Sequence, residues 1–381
     1  MQRGIKSLIN PTMQIKICHI TTVHPRYDVR IFIKECKSLA KKYEDVNLIV
    51  ADGKGDEIVD GIKFFDVGKP SGRIQRILKY PRKAFKKAIE IDADIYHFHD
   101  SELLSTGVKL AKKGNIVIYD SHEDLPRQIL TKPWIPKFLR KVASRIAERT
   151  ENRKVRRLSA VVAATPHIKE RFEKVTSAPV KNVNNYPVLD DIMFNPSWND
   201  KENAVCYVGG LFYTRGIHEM VAAIGKTDSK LIMGGNFSPA SLINELTNKN
   251  GWKKVEYLGF IDREKVNEVY RKSVAGLIML HPMPSYIDSL PVKMFEYMAA
   301  GIPIICSDFP LWKEIVETAG CGVCVNPFDA EAIANEITRF CKDKETARKM
   351  GENGRKAVEK TYNWATQEKE LIHLYDNIIN K

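Results

Sequence analysis

No stretch of 18 consecutive apolar residues occurs in this chain of 381 residues, so nothing in it has the length and hydropathy of a bilayer-spanning helix. The opening, Met1 to Thr12, lacks the apolar segment of a secretory leader. The first strand-like run begins just after Met13, so the first dozen residues read as an extension, with Met1 and Met13 competing as the native start. Cysteine is sparse: seven residues, an odd number, lie scattered through apolar runs. That usage excludes a disulfide framework and reads as reduced thiols in a cytosolic protein. Cys321-Gly-Val-Cys324 has C-x-x-C spacing, but no second pair or neighbouring His accompanies it, which argues against a zinc or redox motif. No Gly-x-Gly-x-x-Gly follows the first strand-like run, so a dinucleotide-dependent oxidoreductase is disfavoured.

Acid is nearly missing from two stretches. Residues 69–87 hold eight Lys or Arg and no Asp or Glu, and residues 125–157 hold eleven against Glu148 and Glu151. The net charge of +13 is therefore carried by these runs, and the rest of the chain is net acidic. Both runs place apolar residues at helical intervals, among them Ile74, Ile77 and Leu78 in one and Phe138, Val142 and Ile146 in the other. A basic amphipathic surface of this kind suits an anionic membrane face. It would put the protein in the cytoplasm, peripheral on the inner face of the cell membrane; a solubilising surface accounts for the charge equally well. No recognisable nucleic-acid-binding motif is present, so nucleic acid is not an expected partner.

Strand-like apolar runs alternate with helical patterns from beginning to end, which predicts α/β architecture with parallel sheets covered by helices. Strands are expected at 15–20, 46–50, 95–98, 116–119 and 160–164, with a helix around 30–42. After a stretch rich in Asn, Pro and Asp at 184–200 the pattern restarts, with strands near 204–208, 230–233, 254–257, 276–280, 302–306 and 322–325. The restart marks a boundary between a first domain, 1–190, and a second, 200–364. Leu371, Leu374, Ile378 and Ile379 recur at helical spacing in a final segment, 365–381.

Ligands of open parallel sheets gather at the carboxyl ends of strands. The restart strand runs Cys206-Tyr-Val-Gly-Gly-Leu-Phe-Tyr-Thr-Arg-Gly-Ile217: a strand, a glycine loop at Gly209 and Gly210, and a helix start. Such a loop lets backbone approach phosphate, and Arg215 adds a charge-assisted contact. Later, Asp288-Ser-Leu-Pro-Val-Lys-Met-Phe-Glu296 places two carboxylates eight apart around a predicted helix start, which Ser289 can cap, with Pro291 in the first turn. Gly301 and Pro303 end that helix. Its start offers backbone N–H groups and a positive dipole end to an anion. Glu296, about 7–8 Å further along the axis at 1.5 Å per residue, suits a ribose hydroxyl pair, and Lys293 can neutralise phosphate charge. An ordinary amphipathic helix with a salt-bridged Glu296 is the plainer account.

These residues resemble the Glu-x7-Glu signature and the small-Ala-Gly-x-Pro-Val-Ile strand of the family 4 retaining glycosyltransferases, with Asp288 where relatives usually carry the first Glu. The resemblance covers the chain from about Ile15 onward and is weakest between Gly53 and Lys87. It implies the GT-B fold: two Rossmann-like doubly wound domains with a cleft between them, and 365–381 crossing back onto the first. It also implies donor binding by the second domain and acceptor binding by the first. In relatives the glycine loop commonly reads Gly-Arg-Leu-x-x-x-Lys-Gly. Here Gly210 stands at the Arg place and Arg215 at the Lys place, and Lys293 is a candidate replacement for the missing charge. Gly234 and Gly259, after the strands near 230–233 and 254–257, resemble segments lining the nucleotide base, and Ser289 and Leu290 belong to the donor segment. The implied substrate is a UDP-, GDP- or similar nucleotide sugar, with a hexosyl or N-acetylhexosaminyl group moved to a glycan or lipid-linked glycan, and with no bound metal or cofactor required.

In the first half, Tyr96-His-Phe-His-Asp100 and Tyr119-Asp-Ser-His-Glu-Asp124 follow adjacent predicted strands. Strand alternation puts His97 and His99 on one side and Phe98 on the other. A metal site of His97, His99 and His122 is conceivable but not expected. The family's His-x-His pattern implies that His99 touches the transferred sugar, with Asp100 and Glu123 as carboxylates that orient it or bind acceptor hydroxyls. His24-Pro-Arg-Tyr-Asp-Val-Arg30 follows the first strand and resembles a polysaccharide-assembly subgroup; Arg30 suits an acceptor phosphate, or a salt bridge with Asp28. His24 and His122 complete the acceptor-side candidates, and His99 with Asp288 are the catalytic ones. Two alternatives remain: a nucleotide-sugar epimerase of the same fold, and a non-catalytic glycan-binding or partner subunit, which Gly210 and Asp288 favour.

Overall fold

A computed structural model describes residues 15–132 and 134–380; the expectation about the first dozen residues lies outside them. The chain divides into two compact units, the first holding the residues through Ile129, Ile135–Val183 and those from Glu368 on, the second Leu130–Trp134 and Asn184–Gln367. The change of unit at Val183 falls at the start of the Asn- and Pro-rich stretch, before the expected end of the first domain at 190. None of the described helices is long and apolar enough to cross a membrane.

In the first unit, strands β1 (Lys16–Ile20), β2 (Asp45–Val50), β3 (Glu57–Val59), β4 (Ile62–Asp66), β5 (Ile95–Phe98), β6 (Ile116–Ser121), β7 (Ala160–Ala163) and β8 (Val180–Asn182) form one sheet in the order β3-β4-β2-β1-β5-β6-β7-β8. All pairs are parallel except β3 with β4. That hairpin and β8 are not evident from the apolar runs. Asp60-Gly61, both at positive φ, is the signal that marks the hairpin turn.

Alternation along the strands gives the sheet two unlike faces. Cys18, Ile20, Tyr96, Phe98, Val117 and Tyr119 enter an apolar core with residues from the helices Arg73–Ile91, Leu104–Ala111, Lys137–Val155 and Pro166–Glu173. Each such aliphatic or aromatic side chain contributes about 1.5–3 kcal/mol through its burial. The intervening residues His19, His97, His99 and Asp120 face the other way and are equally buried. The chain then turns tightly from Val29 to Cys36 in a π-helical turn and continues as helix Lys37–Ala40, so the helix expected around Arg30 begins irregularly.

In the second unit, β9 (Ala204–Val208), β10 (Lys230–Gly234), β11 (Val255–Tyr257), β12 (Ala275–Ile278), β13 (Ile304–Ser307) and β14 (Gly322–Val325) form a wholly parallel sheet in the order β11-β10-β9-β12-β13-β14. Both faces are apolar. Cys206, Ile232, Ile278 and Ile304 meet helices Arg263–Lys272, Val292–Ala300 and Pro310–Ala319. Val205, Leu231, Leu277 and Ile305 meet helices Ile217–Gly225 and Ala330–Lys342. Strand order reverses at β1/β5 in one unit and at β9/β12 in the other, and ligands of doubly wound sheets bind at such switch points.

Candidate active-site elements at the two switch points

At the end of β9, Gly209 takes φ 144°. A Cβ there would fall 2.4 Å from Lys293 Cε and Nζ and 3.7 Å from Arg215 Nη1, so only glycine admits both cations at this strand end. Arg215 stands in the turn Tyr213–Arg215, before the helix Ile217–Gly225. Its guanidinium lies 5.2 Å over the Phe212 ring, and its buried Nε has no partner. Lys293, on the first turn of helix Val292–Ala300, lies 5.4 Å over the Tyr207 ring. Burial, and then the charge of Arg215, hold its ammonium down to about 8. Among the described residues no carboxylate lies within ion-pair distance of either cation. No side chain caps the helix start, whose positive end is therefore open to an anion.

Gly209, Gly234 and Gly259 are linked through backbone hydrogen bonds. Gly209 N–H donates to Gly234 O at 2.8 Å, and Gly235 N–H to Gly259 O at 2.6 Å. These N–H groups extend the sheet beyond its strands. Gly210 accepts from Tyr207 OH at 3.0 Å, and a Cβ on it would meet the Phe212 ring at 2.4 Å.

The helix start differs from the sequence reading. Pro291 is the N-cap and Ser289 is not, since Ser289 Oγ donates to Tyr286 O at 2.8 Å. Leu290 packs against the core. Asp288 is half-buried in the loop before the helix. Glu296 is ion-paired: Oε1 accepts from Arg263 Nη1 at 2.9 Å and Oε2 from Tyr270 OH at 3.0 Å. Because each carboxylate oxygen has a second lone pair, these partners orient Glu296 without exhausting it. Arg263 carried no motif that would have singled it out. His281, whose Nε2 lies 3.2 Å from Glu219 Oε1, was within reach of the strand-end rule and was missed.

At the first unit's switch point, the polar face of the sheet carries a chain of imidazoles ending on one carboxylate. His99 Nδ1 lies 3.2 Å and His122 Nε2 2.9 Å from Asp120 Oδ2, and His19 Nδ1 lies 2.9 Å from His99 Nε2. A carboxylate only accepts, so His99 donates from Nδ1–H and accepts a hydrogen bond at Nε2 from His19 Nδ1–H. Burial opposes charge on Asp120, yet Arg30 and His122 hold its carboxyl well below the usual range. Desolvation lowers His99 to about 4, so it is neutral.

Three expectations are corrected here. Arg30 is buried, with Nε and Nη2 each donating to Asp120 at 2.9 Å, Nε 3.1 Å from Glu35 Oε1, and Nη1 donating to Val183 O. It is a structural clamp, closed to an acceptor phosphate, and Asp28 meets only its backbone N–H. His99 is 3% exposed, with both ring nitrogens engaged, and does not itself face a ligand. Neither Asp100 nor Glu123 orients it. Asp100 is buried and accepts from Thr22 N–H at 2.5 Å and Thr21 Oγ1 at 3.1 Å, while Glu123 is exposed. Asp120 does the orienting, and strand alternation from His99's partner strand could have found it. The surface of this cluster is formed by His24 and His122, whose rings lie 4.9 Å apart. Burial works against charge on His24, but the hydrogen bond to Asp28 and the nearby Asp100 raise its pKa above the ordinary value.

Among the described residues, Glu35, His97, His99 and Asp120 offer ligand atoms within 4.8 Å of one another and form a group that could hold a metal ion; His122, of the set that was conceivable but not expected, is not part of it. The Arg30 guanidinium already supplies positive charge to both carboxylates there.

The sequence pattern of the family Glycosyl transferases group 1 matches residues 189–357. That segment is a group 1 glycosyl transferase domain. Curated relatives include an uncharacterized glycosyltransferase of Methanocaldococcus jannaschii, 25% identical over 56% of this chain and 59% of that protein. The capsular polysaccharide biosynthesis glycosyltransferase CapM of Staphylococcus aureus is 25% identical over 46% of each chain. The chain thus spans about half the length of the curated relatives it matches. Among solved structures, a sucrose-phosphate synthase from Thermosynechococcus elongatus superposes with a TM-score of 0.79 at 18% identity, covering 96% of this chain and 99% of that one. Anabaena HepE in complex with UDP-glucose gives 0.71 at 15% identity, covering 95% and 100%. The two parallel-sheet units have the GT-B fold.

Proposed function

We propose that the chain moves a hexosyl or N-acetylhexosaminyl group from a nucleoside diphosphate sugar to a hydroxyl of a lipid-linked glycan, with retention at the anomeric carbon, in cell-surface polysaccharide synthesis. The observation that carries this reading is the pair Arg215 and Lys293 at Gly209, two cations without a carboxylate partner beside an open helix start. Such a cradle fits a diphosphate. Glu296, held by Arg263 and Tyr270, is assigned to ribose hydroxyls, and Asp288 to the donor sugar. HepE, of the same fold, holds UDP-glucose, which supports a nucleotide sugar as donor; CapM, of capsular polysaccharide biosynthesis, supports the glycan acceptor.

In this scheme the diphosphate leaves from the face that the acceptor hydroxyl attacks. Negative charge growing on the leaving oxygens is met by Arg215, Lys293 and the helix start, without a bound metal, and a leaving phosphate oxygen takes the hydroxyl proton. His24 and His122 are the groups of the first unit assigned to the acceptor side, with His99 and Asp120 positioning His122. The basic runs 69–87 and 125–157 are assigned to an anionic membrane surface.

Screening the purified protein against a panel of nucleotide sugars by mass spectrometry, then against glycan acceptors, tests the assignment. Acceptor-dependent release of nucleoside diphosphate is expected. Failure of every nucleoside diphosphate to bind in calorimetric titration overturns it, and acceptor-independent conversion of the donor would indicate an epimerase.

A further inference from the structure

Two cavities flank the helix Lys137–Val155, and they differ in charge. One, of about 330 Å³, is mixed: Arg127, His167, Arg171 and Lys174 share it with Glu148 and Glu170. The acids of the helix are used on that flank, Glu148 by Arg127 Nη1 at 2.7 Å and Glu151 by Arg171 Nη2 at 2.9 Å. The other cavity, of about 440 Å³, lies against helix Leu104–Ala111 and is lined by Lys109, Lys112, Arg149, Arg153, Lys154 and Arg157, with no acid among its lining residues.

Arg149 and Arg153 are four apart on the helix, the spacing at which like charges repel, and Arg157 follows just past its end. None of the six has a carboxylate partner among the described residues. Lys154 Nζ donates to Ser105 Oγ at 2.8 Å, and Lys109 lies 5.6 Å over the Phe85 ring. Burial also lowers the pKa of Lys154. Elsewhere on this surface some cations are paired, as in Lys63–Asp45 and Lys169–Glu173. Six cations converging on one groove are relieved only by an anion carrying several charges. Lys112 and Arg157 stand just before the amino ends of β6 and β7, at the opposite end of the sheet from His122, so the groove is separate from the histidine cluster.

We propose that this groove is a binding site for a phosphate group of two or more charges, presented by a membrane lipid headgroup. The fit is chemical: guanidinium forks bind phosphate bidentately, and Ser105 and Thr150, which also line the groove, add hydroxyl donors. The lipid source is argued from the same helix. Val142 and Ile146 are 52% and 59% exposed and lie seven residues before Arg149 and Arg153, two turns away on the same stripe. The stripe passes from apolar to cationic, as in a helix lying at a bilayer interface. The proposal gives the membrane contact assigned above a defined site, and it does not depend on the sugar chemistry.

The test uses the full chain and the variant Arg149→Glu/Arg153→Glu, both exposed positions. Sedimentation is measured with phosphatidylcholine vesicles with and without phosphatidic acid, and inorganic pyrophosphate is titrated calorimetrically into Lys293→Ala protein, which disables the other anion cradle. Wild type is expected to sediment only with the anionic vesicles, and the variant to bind them roughly tenfold more weakly; the pyrophosphate binding of Lys293→Ala protein is expected to be lost when both groove substitutions are added to it. Unchanged vesicle binding by the variant overturns the groove while leaving a diffuse membrane contact in place. Pyrophosphate binding without vesicle binding overturns the lipid source and assigns the groove to a soluble phosphate. A wild-type protein that binds neither overturns the site altogether.

Discussion

Lys293 occupies the space that a side chain on Gly209 would need: a Cβ there would lie 2.4 Å from the lysine Cε and Nζ. Gly209→Ala should therefore push Lys293 out of the cradle, with added strain from φ 144°. The expected result is about a tenfold rise in donor KM with circular dichroism unchanged. Donor affinity equal to wild type in calorimetry would separate Gly209 and Lys293 from diphosphate binding.

Burial holds the Lys293 ammonium at about 8, below its ordinary value. Raising pH through that value discharges the free protein, so affinity for a nucleoside diphosphate should fall, and binding above it should take up a proton. Lys293→Arg, which stays charged, is expected to flatten the profile. A wild-type affinity that is level across this window would show that the lysine is not a phosphate ligand.

Glu296 is oriented by Arg263 at 2.9 Å and Tyr270 at 3.0 Å. Glu296→Ala should raise donor KM by about 10–100-fold, the loss of one or two charge-assisted hydrogen bonds. Arg263→Ala should raise it less, since it loosens the carboxylate and leaves it present. Equal donor affinity for Glu296→Ala and wild type would remove the residue from the donor site.

Arg30 and Asp120 form a buried, doubly hydrogen-bonded ion pair. Removing one partner strands the other, a loss of about 3–5 kcal/mol. Arg30→Ala should lower the midpoint of thermal unfolding clearly. A midpoint equal to wild type would mean that the pair is not closed in solution.

His122, 14% exposed at its side chain, connects buried His99 to the surface. His122→Ala and His99→Ala should both lower kcat by about 100-fold and spare donor KM. Loss confined to His99→Ala would place the action on His99 itself, against its burial.

The alternation of apolar runs was enough to place all but three of the strands, because a strand buried on both faces has few other ways to satisfy its backbone. Helix Trp364–Ile379 was equally legible from its spacing. The hairpin β3–β4 was not, because β3 is a three-residue edge strand and both strands carry partly exposed residues.

Sequence alone also determined which residues stand at strand ends, and hence that Gly209, Arg215, His99, Lys293 and Glu296 were worth examining. What only the tertiary structure decided is which of them meet. Arg30 and Asp120 are ninety positions apart, and their pairing depends on the turn Val29–Cys36 packing over the face on which β6 presents Asp120; no local pattern predicts that the arginine is spent inside the fold. Arg263 meets Glu296 only because their helices pack side by side. Local spacing specifies the elements and the faces they bury, whereas the partners of a charged group follow from long-range packing, where desolvation decides which charges must find one another.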